Sequence, residues 1–499
     1  MFYNHHFAVL VIVIPMFLAL LTPIISLLKM EFAWYMAMLS AIASFLISIS
    51  ILYHILSTGD VILYHLGGWL PPIGIEYRID CLNGFVLLVI TFIALISTIY
   101  AKQSVAIEIK AEKTPAFYTV FMLFLLGLYG MIVTNDVFNL YVFLEITSLA
   151  GYALVAMGSD KRSLMASFNY LILGTIGATF ILIGVGYLYM ITGTLNIIDM
   201  SRLLVKYYDS NVMFTAFAFI ITGLMLKVAL YPLHFWLPSA YTYAPSAVSA
   251  VMAATSTKVG AYVMIRLFFT VFHIKIISQY IPVAEIVMII ASISVLMGSI
   301  LAISQTDIKR MLAYSSIGQI GYIVLGATVL HSAALTGGIL HILNHALMKC
   351  GLFFVAGSIF CKLGTTRIND LRNLSRIMPL QAGAFTLLAL SMIGIPLTGG
   401  FVTKWYLIEG SILSGDWYLV PVILLSSLLT VIYFGRVINL MYFSDNSSHN
   451  NIKPIKAPWG MVVPTIIITF LSILFGIFAT VPVEIASKAA IEIMGGSHW

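Results

Sequence analysis

The chain has 499 residues, 61% of them hydrophobic and only 9% charged, where a soluble chain carries about a quarter charged residues, so a water-soluble globule is excluded. The net charge of +6 would suggest a nucleic-acid partner in a soluble protein, but with no polybasic tail and no nucleic-acid motif it reads as the positive-inside bias of a membrane protein. Cys81, Cys350 and Cys361 form no CxxC pair and are too scattered for a metal site, so neither redox chemistry nor a cofactor is expected within the chain.

A hydrocarbon layer roughly 30 Å thick calls for about 20 apolar residues per helix, and such runs recur along the whole length. The first, residues 7–27, has no Lys or Arg ahead of it and no small-residue cleavage site after it, so it is expected to be a retained helix and not a signal peptide. A second run covers 33–55. Residues 67–77, with a Pro-Pro-x-Gly core, are too polar to span and predict an external hairpin. Runs at 82–101, 116–134, 138–158 and 166–192 follow, then 195–209, expected as a short helix on the outer surface. The remaining runs lie at 211–231, 245–271, 281–303, 310–330, 333–361, 380–400 (continuing irregularly beyond 400), 417–442 and 460–483. The expected fold is an all-α integral membrane protein of about fourteen transmembrane helices in a single membrane domain. Within it, residues 1–115 hold the first three helices and the hairpin, 116–272 and 281–442 hold two inverted five-helix repeats, and 460–499 hold the last helix and a tail.

Orientation follows from the loops. With the N-terminus outside, Lys29, Lys102, Lys110, Lys113, Lys161, Arg162, Lys309, Arg310, Lys362, Arg367, Arg372, Arg376, Lys453 and Lys456 fall on the cytoplasmic side. Only Arg78, Arg202, Lys206, Lys275 and Lys488 fall opposite. That asymmetry predicts a multi-pass protein of a prokaryotic cell (inner) membrane with both termini outside.

Six of the 25 Lys and Arg residues remain on or near helices: Lys227, Lys258, Arg266, Lys349, Lys404 and Arg436. Glu145 is likewise an acid inside an apolar stretch. A charge at the centre of a span costs roughly 2.5–3.5 kcal/mol even on the mildest scale, so each needs a partner, water or deprotonation. Arg266 and Arg436 lie near helix ends and are expected to snorkel to the interface. Lys258, after Thr255-Ser256-Thr257 near the middle of its span, cannot, and suits a lysine that gains and loses a proton. A static charge pinning two helices is the bland alternative.

Lys227 precedes Pro232, and Lys404 follows Pro396 and the pair Gly399-Gly400. Proline removes a helical hydrogen bond and glycine tolerates unusual dihedrals, so the seventh and twelfth helices are expected to be discontinuous at membrane depth. Interrupted segments in both halves point to a transport site between inverted repeats, here spans four to eight and nine to thirteen. The two lysines fall on opposite sides of their breaks, which reads as a sign of that inversion. In HILNHALMK, His341, His345 and Lys349 stand four residues apart on one helix face and could line a wet path, with histidine titrating near neutrality. Zinc is the weaker reading, because no Glu stands between the histidines as in HExxH and the third group is a lysine.

Residues 232–266, PLHFWLPSAYTYAPSAVSAVMAATSTKVGAYVMIR, closely resemble the signature of the antiporter-like, proton-translocating subunits shared by respiratory complex I, membrane-bound hydrogenases and Mrp-type cation/proton antiporters. The resemblance covers nearly the whole chain and implies fourteen helices with both termini outside. It implies an ion pair between Glu145 and the lysine of the broken seventh helix, Lys227. It also implies proton-path roles for Lys258, His341, His345, Lys349 and Lys404. The stretches FNLYVFLEITSLAGYALVA and GIPLTGGFVTKWYLIEG look most like the D-type subunit of the Mrp Na+/H+ antiporters. From the resemblance the expected partners are other small hydrophobic subunits, the bilayer, protons and Na+. The expected function is proton translocation coupled to Na+ export, with a proton-pumping subunit of a redox-driven complex as the alternative and an organic-solute transporter as a more distant one.

Overall fold

Apolar runs this long can satisfy their backbone polar groups in lipid only by coiling, and helices dominate the computed structural model, which describes residues 5–444 and 454–495. Lys453 and the outermost residues of both chain ends lie outside the described residues. Eleven helices among the described residues are long and apolar enough to cross a membrane. The other three expected spans are built differently. Ile308–Thr328 is long but more polar, the seventh consists of Asn211–Lys227 and Trp236–Tyr243, and the twelfth consists of Pro379–Ile393 and Gly399–Leu413.

Helix starts are fixed by side-chain caps. Asp80, Asp136, Asn196 and Asp307 each accept from backbone N–H groups of the following turn, which answers the unpaired donors of a helix N-terminus. The expected hairpin is present as strand β1 (Ile62–His65) and strand β2 (Glu76–Ile79), paired antiparallel with Ile62 opposite Ile79. The short surface helix is Ile197–Leu204, with Ile197, Met200 and Leu204 buried along one side. Helices close on one another at small residues: a Cβ at Gly298 would press into the backbone of Gly318, the small-residue contact typical of membrane helix pairs.

Within spans four to seven each helix packs on the next, and the same neighbour pattern recurs in spans nine to twelve. Both broken helices end alike: Leu230 N–H donates to Met225 O (2.9 Å) and Ile395 N–H to Leu390 O (3.1 Å), with Ala229 (φ 58°) and Gly394 (φ 89°) in the left-handed region, the six-to-one helix-ending motif. A rotation preserves chain direction, so lysines on opposite sides of the two breaks are not symmetry mates. Lys227 corresponds to Met392, and their opposite placement is no mark of inversion.

Four expectations change. The eighth span is also discontinuous, with Ser246–Ala254 and Ser256–Arg266 meeting at Thr255 (φ −122°, ψ −59°) and a π-helical turn at Leu267–Val271. The fourteenth span stops at Ile477, and Thr480–Gly495 forms a further helix that packs on spans three and eleven. Lys309 is buried and donates to Ser246 Oγ (3.0 Å) instead of sitting in a solvated loop. Arg266 does not snorkel: it is buried in a two-pronged pair with Asp80 (2.7 and 2.8 Å). Burial would push the Asp80 carboxyl up, yet the Arg266 guanidinium, by charge and hydrogen bonds, holds it below the usual carboxylate range. Arg436 stands inside the helix Leu419–Phe443 and reaches the end of the ninth span, where it donates to the carbonyls of Ile303 (2.9 Å) and Gln305 (2.5 Å).

Candidate functional site

Glu145 sits midway along the helix Val137–Ala156, and Lys227 is the last residue of its half-helix. Their charged atoms stand 3.8 Å apart, and Lys227 Nζ donates to Ser148 Oγ at 2.7 Å. Ser148, one turn beyond Glu145, therefore holds the ammonium, while Glu145 Oε1 is buried with no hydrogen bond. The pair is electrostatic and open. Past Lys227 the chain turns at Ala229, Tyr231 N–H donates to Ser294 Oγ of the ninth span (3.2 Å), and Trp236 Nε1 takes the carbonyl of Leu226 (2.9 Å). Pro232, which has no N–H to donate, stands in this turn.

Lys258 is fully buried. At the kink side chains bond the carbonyls that end the first half-helix: Tyr241 Oη donates to Met252 O (3.1 Å) and Lys258 Nζ to Ala253 O. A buried ammonium is thus solvated by the helix end it interrupts, the same use of freed carbonyls that other broken membrane helices make. The helices of Lys227 and Lys258 cross where a Cβ at Gly260 would stand 2.8 Å from Val228 Cγ1.

The helix Ser332–Leu363 carries His341, His345 and Lys349, all fully buried. The two imidazoles stack at 5.5 Å with planes 14° apart. His341 bonds Thr403 Oγ1 through Nδ1 (3.1 Å) and Gln319 Oε1 through Nε2 (2.9 Å). Neither ring nitrogen of His345 has a partner. Lys349 Nζ donates to Leu312 O (2.8 Å) and to Ser315 Oγ. Between these residues, Asn344 Nδ2 donates to Gly399 O (2.9 Å), tying the histidine helix to the twelfth-span break.

At that break Lys404 Nζ lies among three oxygens: Ile393 O (2.8 Å), Met392 O (3.3 Å) and Ser427 Oγ (2.8 Å). The carbonyls end the first half-helix, so their dipoles face the ammonium. Pro396 lies in the connection, and Gly399 and Gly400 are needed for close approach, because a Cβ there would run into Asn344 and into the Ser391 carbonyl.

The structure therefore brings Lys258, His341, His345 and Lys349 within electrostatic reach of one another, with Lys404 beside His341. The Glu145–Lys227 pair joins them through the Val228–Gly260 crossing. Sequence reasoning missed the neutral groups that hold the charges: Ser148, Ser315, Gln319, Thr403 and Ser427. Their signal was weak but present, since Ser148 follows Glu145 by three residues and Ser315 and Gln319 stand four apart in an apolar span. It also missed His234, buried beside the seventh-span break with Nδ1 unpartnered and its ring stacked on Tyr231. Among the described residues no group of three or more His, Cys, Asp and Glu side chains could hold a metal ion. The arrangement sets amines, imidazoles and a carboxylate, each able to hold a proton, among hydroxyls and carbonyls inside apolar helices.

Residues 134–430 match the family described as NADH:quinone oxidoreductase/Mrp antiporter, TM. The chain is similar to the NADH-quinone oxidoreductase subunit N of Desulforudis audaxviator, with 42% identity over 484 residues that take up 95% of this chain and 96% of that protein. It is similar to the D-type subunit of the Na(+)/H(+) antiporter of Bacillus subtilis, with 29% identity over 473 residues and 93% of each chain. Among solved structures it resembles a chain of the membrane-bound sulfane sulfur reductase, an archaeal respiratory membrane complex, with a TM-score of 0.90 and 30% identity over 98% of this chain and 97% of that one.

Proposed function

The chain belongs to the NADH:quinone oxidoreductase/Mrp antiporter membrane family, as a multi-pass antiporter-like subunit of a multisubunit membrane complex, and from that premise we propose how it moves protons and in which assembly. The proton path runs along Glu145, Lys227, Lys258, the His341–His345 helix with Lys349, and Lys404. The observation that carries this reading is that six basic groups and one acid lie in apolar helices, held by hydroxyls, an amide, carbonyls and a loose ion pair or, at His345, by no hydrogen bond, with no tight counter-charge among the described residues. When Lys227 is close to Glu145 its charged form is favoured, and separating the pair drives the proton towards Lys258. A change of one pKa unit is about 1.4 kcal/mol, so small helix movements suffice.

Two assemblies fit. Proton pumping in a redox-driven complex is the better supported, because the 42% identity to an NADH-quinone oxidoreductase subunit runs over 95% of the chain. Na+/H+ exchange is the second, favoured by the GIPLTGGFVTKWYLIEG stretch and by similarity to the Bacillus subtilis antiporter protein. In either assembly we take the loops rich in Lys and Arg to face the cytoplasm and both termini to lie outside, on the charge bias alone. Inverted vesicles carrying the native complex separate the two assemblies. Acidification driven by an electron donor and insensitive to Na+ supports the first, and pH-gradient dissipation on adding Na+ supports the second. In either assay, a Lys258→Ala complex that assembles and still transports at the wild-type rate contradicts the proton path.

A further inference from the structure

On the face that the charge bias assigns to the cytoplasm lies a polar cavity of about 520 Å³ between the two repeats, lined among others by Glu108, Asp160, Arg162, Asp307, Lys309 and Arg367. Its floor holds a carboxylate that the proton path does not use. Glu108 Oε1 accepts from Ser104 Oγ (2.6 Å), and Oε2 accepts from the N–H of Ser246 (2.9 Å), the first residue of the half-helix that ends at Ala254, whose neighbouring Ala253 carbonyl holds Lys258. Lys309 Nζ bonds the hydroxyl of the same Ser246 (3.0 Å).

From Glu108 a polar stripe descends along the third span. Ser104, Tyr100 and Ser97 follow at steps of four, four and three residues and so share one helix face. That face meets the eleventh span all the way down. Cys361 Sγ lies 3.9 Å from Glu108 Oε1, Tyr100 Oη donates to Phe354 O at 3.0 Å, and Ser97 Oγ lies 3.8 Å from Cys350 Sγ, beside Lys349 in sequence. Gly357 has no side chain where Tyr100 and Ser246 close in, and Ser358 Oγ is buried in this stretch with no hydrogen-bond partner. The half-helix Ser246–Ala254 packs on both spans, and its rise of about 1.5 Å per residue carries it from the cavity floor to the depth of Lys258.

Resting on the proton-path reading above, we infer that the seam between the third and eleventh spans is the cytoplasmic proton-uptake route to Lys258, with Glu108 as its first acceptor. A hydronium in the cavity gives its proton to the Glu108 carboxylate and leaves as water. The carboxylic acid then gives a proton to Ser104 Oγ, and each hydroxyl or intervening water accepts one proton and releases one towards the interior. The free amine of Lys258 takes the last and becomes an ammonium.

The test uses the assembled complex in inverted vesicles, whose cytoplasmic face is outward, with Glu108→Gln, Glu108→Asp, Tyr100→Phe and Lys258→Ala compared at equal complex content. Gln can still accept the Ser246 N–H but cannot carry a proton, so a merely structural role for Glu108 leaves its rate intact. The expected result is a fall of about 10-fold or more for Glu108→Gln, steepest at high external pH where hydronium is scarce, with Glu108→Asp retaining activity and the melting temperature unchanged. Glu108→Gln at the wild-type rate while Lys258→Ala is inactive overturns the uptake route and leaves the proton path standing. Both variants at the wild-type rate overturn the proton path, and the route with it. If Glu108→Gln fails to assemble, a single Ser358→Cys in a cysteine-free chain decides. Modification by an impermeant thiol reagent from the cytoplasmic face supports a wet seam, and protection from that face overturns it.

Discussion

Among the described residues two acid–base pairs, Asp80–Arg266 and Glu145–Lys227, join distant helices, and they are made differently. Asp80 and Arg266 meet in a two-pronged bond of 2.7 and 2.8 Å, with Asp80 also capping the third span. Glu145 and Lys227 stand 3.8 Å apart with one carboxylate oxygen unbonded. Arginine's fork matches a carboxylate and never gives up its proton, whereas lysine is a point charge that does so readily when buried. The first pair fixes a charge in place, and the second is poised to lose one. On the proton path proposed above, chemistry of the base and geometry of the bond together separate a structural ion pair from a transport site, although both are largely buried and both cross between helices.

The comparison breaks most visibly if the loose pair is made tight. Lys227→Arg keeps the charge and extends a fork towards Glu145, and proton transport should fall by about 100-fold or more while the complex still assembles, read as pH change in vesicles at equal complex content. Next is removal of the tight pair: Arg266→Ala leaves the largely buried Asp80 carboxylate with only its helix-capping bonds, a loss of roughly 3 kcal/mol that denaturant titration of the solubilised complex would measure. Because the Asp80 carboxyl is held below its ordinary value, that contribution is fully present above about pH 4 and is lost only as pH falls through the lowered value. The stability gap between wild type and Arg266→Ala should therefore be widest at high pH and narrow as pH falls, first as the unpaired carboxylate of the variant takes up a proton and then as the paired one does, and a gap that widens as pH falls would deny the pairing its source. Arg266→Lys, which trades the fork for a point charge, should cost about 2 kcal/mol and spare most transport. Ser148→Ala is the mildest change. It removes the hydroxyl that holds Lys227 and should slow transport a few-fold, equivalent to about 1 kcal/mol, without altering the melting temperature.

What could be read from sequence follows from the cost of charge in lipid. Each of Glu145, Lys227, Lys258, His341, His345, Lys349 and Lys404 stood out because a bilayer tolerates such groups only for a reason, and all seven lie in the region described. Pro232, Pro396 and Gly399-Gly400 marked two breaks by their backbone chemistry. The third break, at Thr255, carries neither residue. Its neighbours are hydroxyl and β-branched residues that also occur in regular membrane helices, so its signal was indistinguishable from ordinary packing. Asp80 and Arg266 are paired over 186 positions, which no local pattern encodes. Lys309 looked like a loop charge because only the folded cavity brings Ser246 to it. The helix Thr480–Gly495, with Glu484, Lys488 and Glu492, read as a tail because it is too polar for the bilayer criterion.

Lys258 decides between a charge that moves and a charge that pins, because it is fully buried, forms no ion pair among the described residues and is held by the carbonyl of a broken helix. The measurement is proton transport by assembled Lys258→Arg and Lys258→His complexes across roughly pH 6 to 9, since arginine stays protonated throughout and histidine titrates within that range. Nearly complete loss in the arginine variant with partial activity in the histidine variant is the predicted result, and an arginine variant as active as wild type would contradict it.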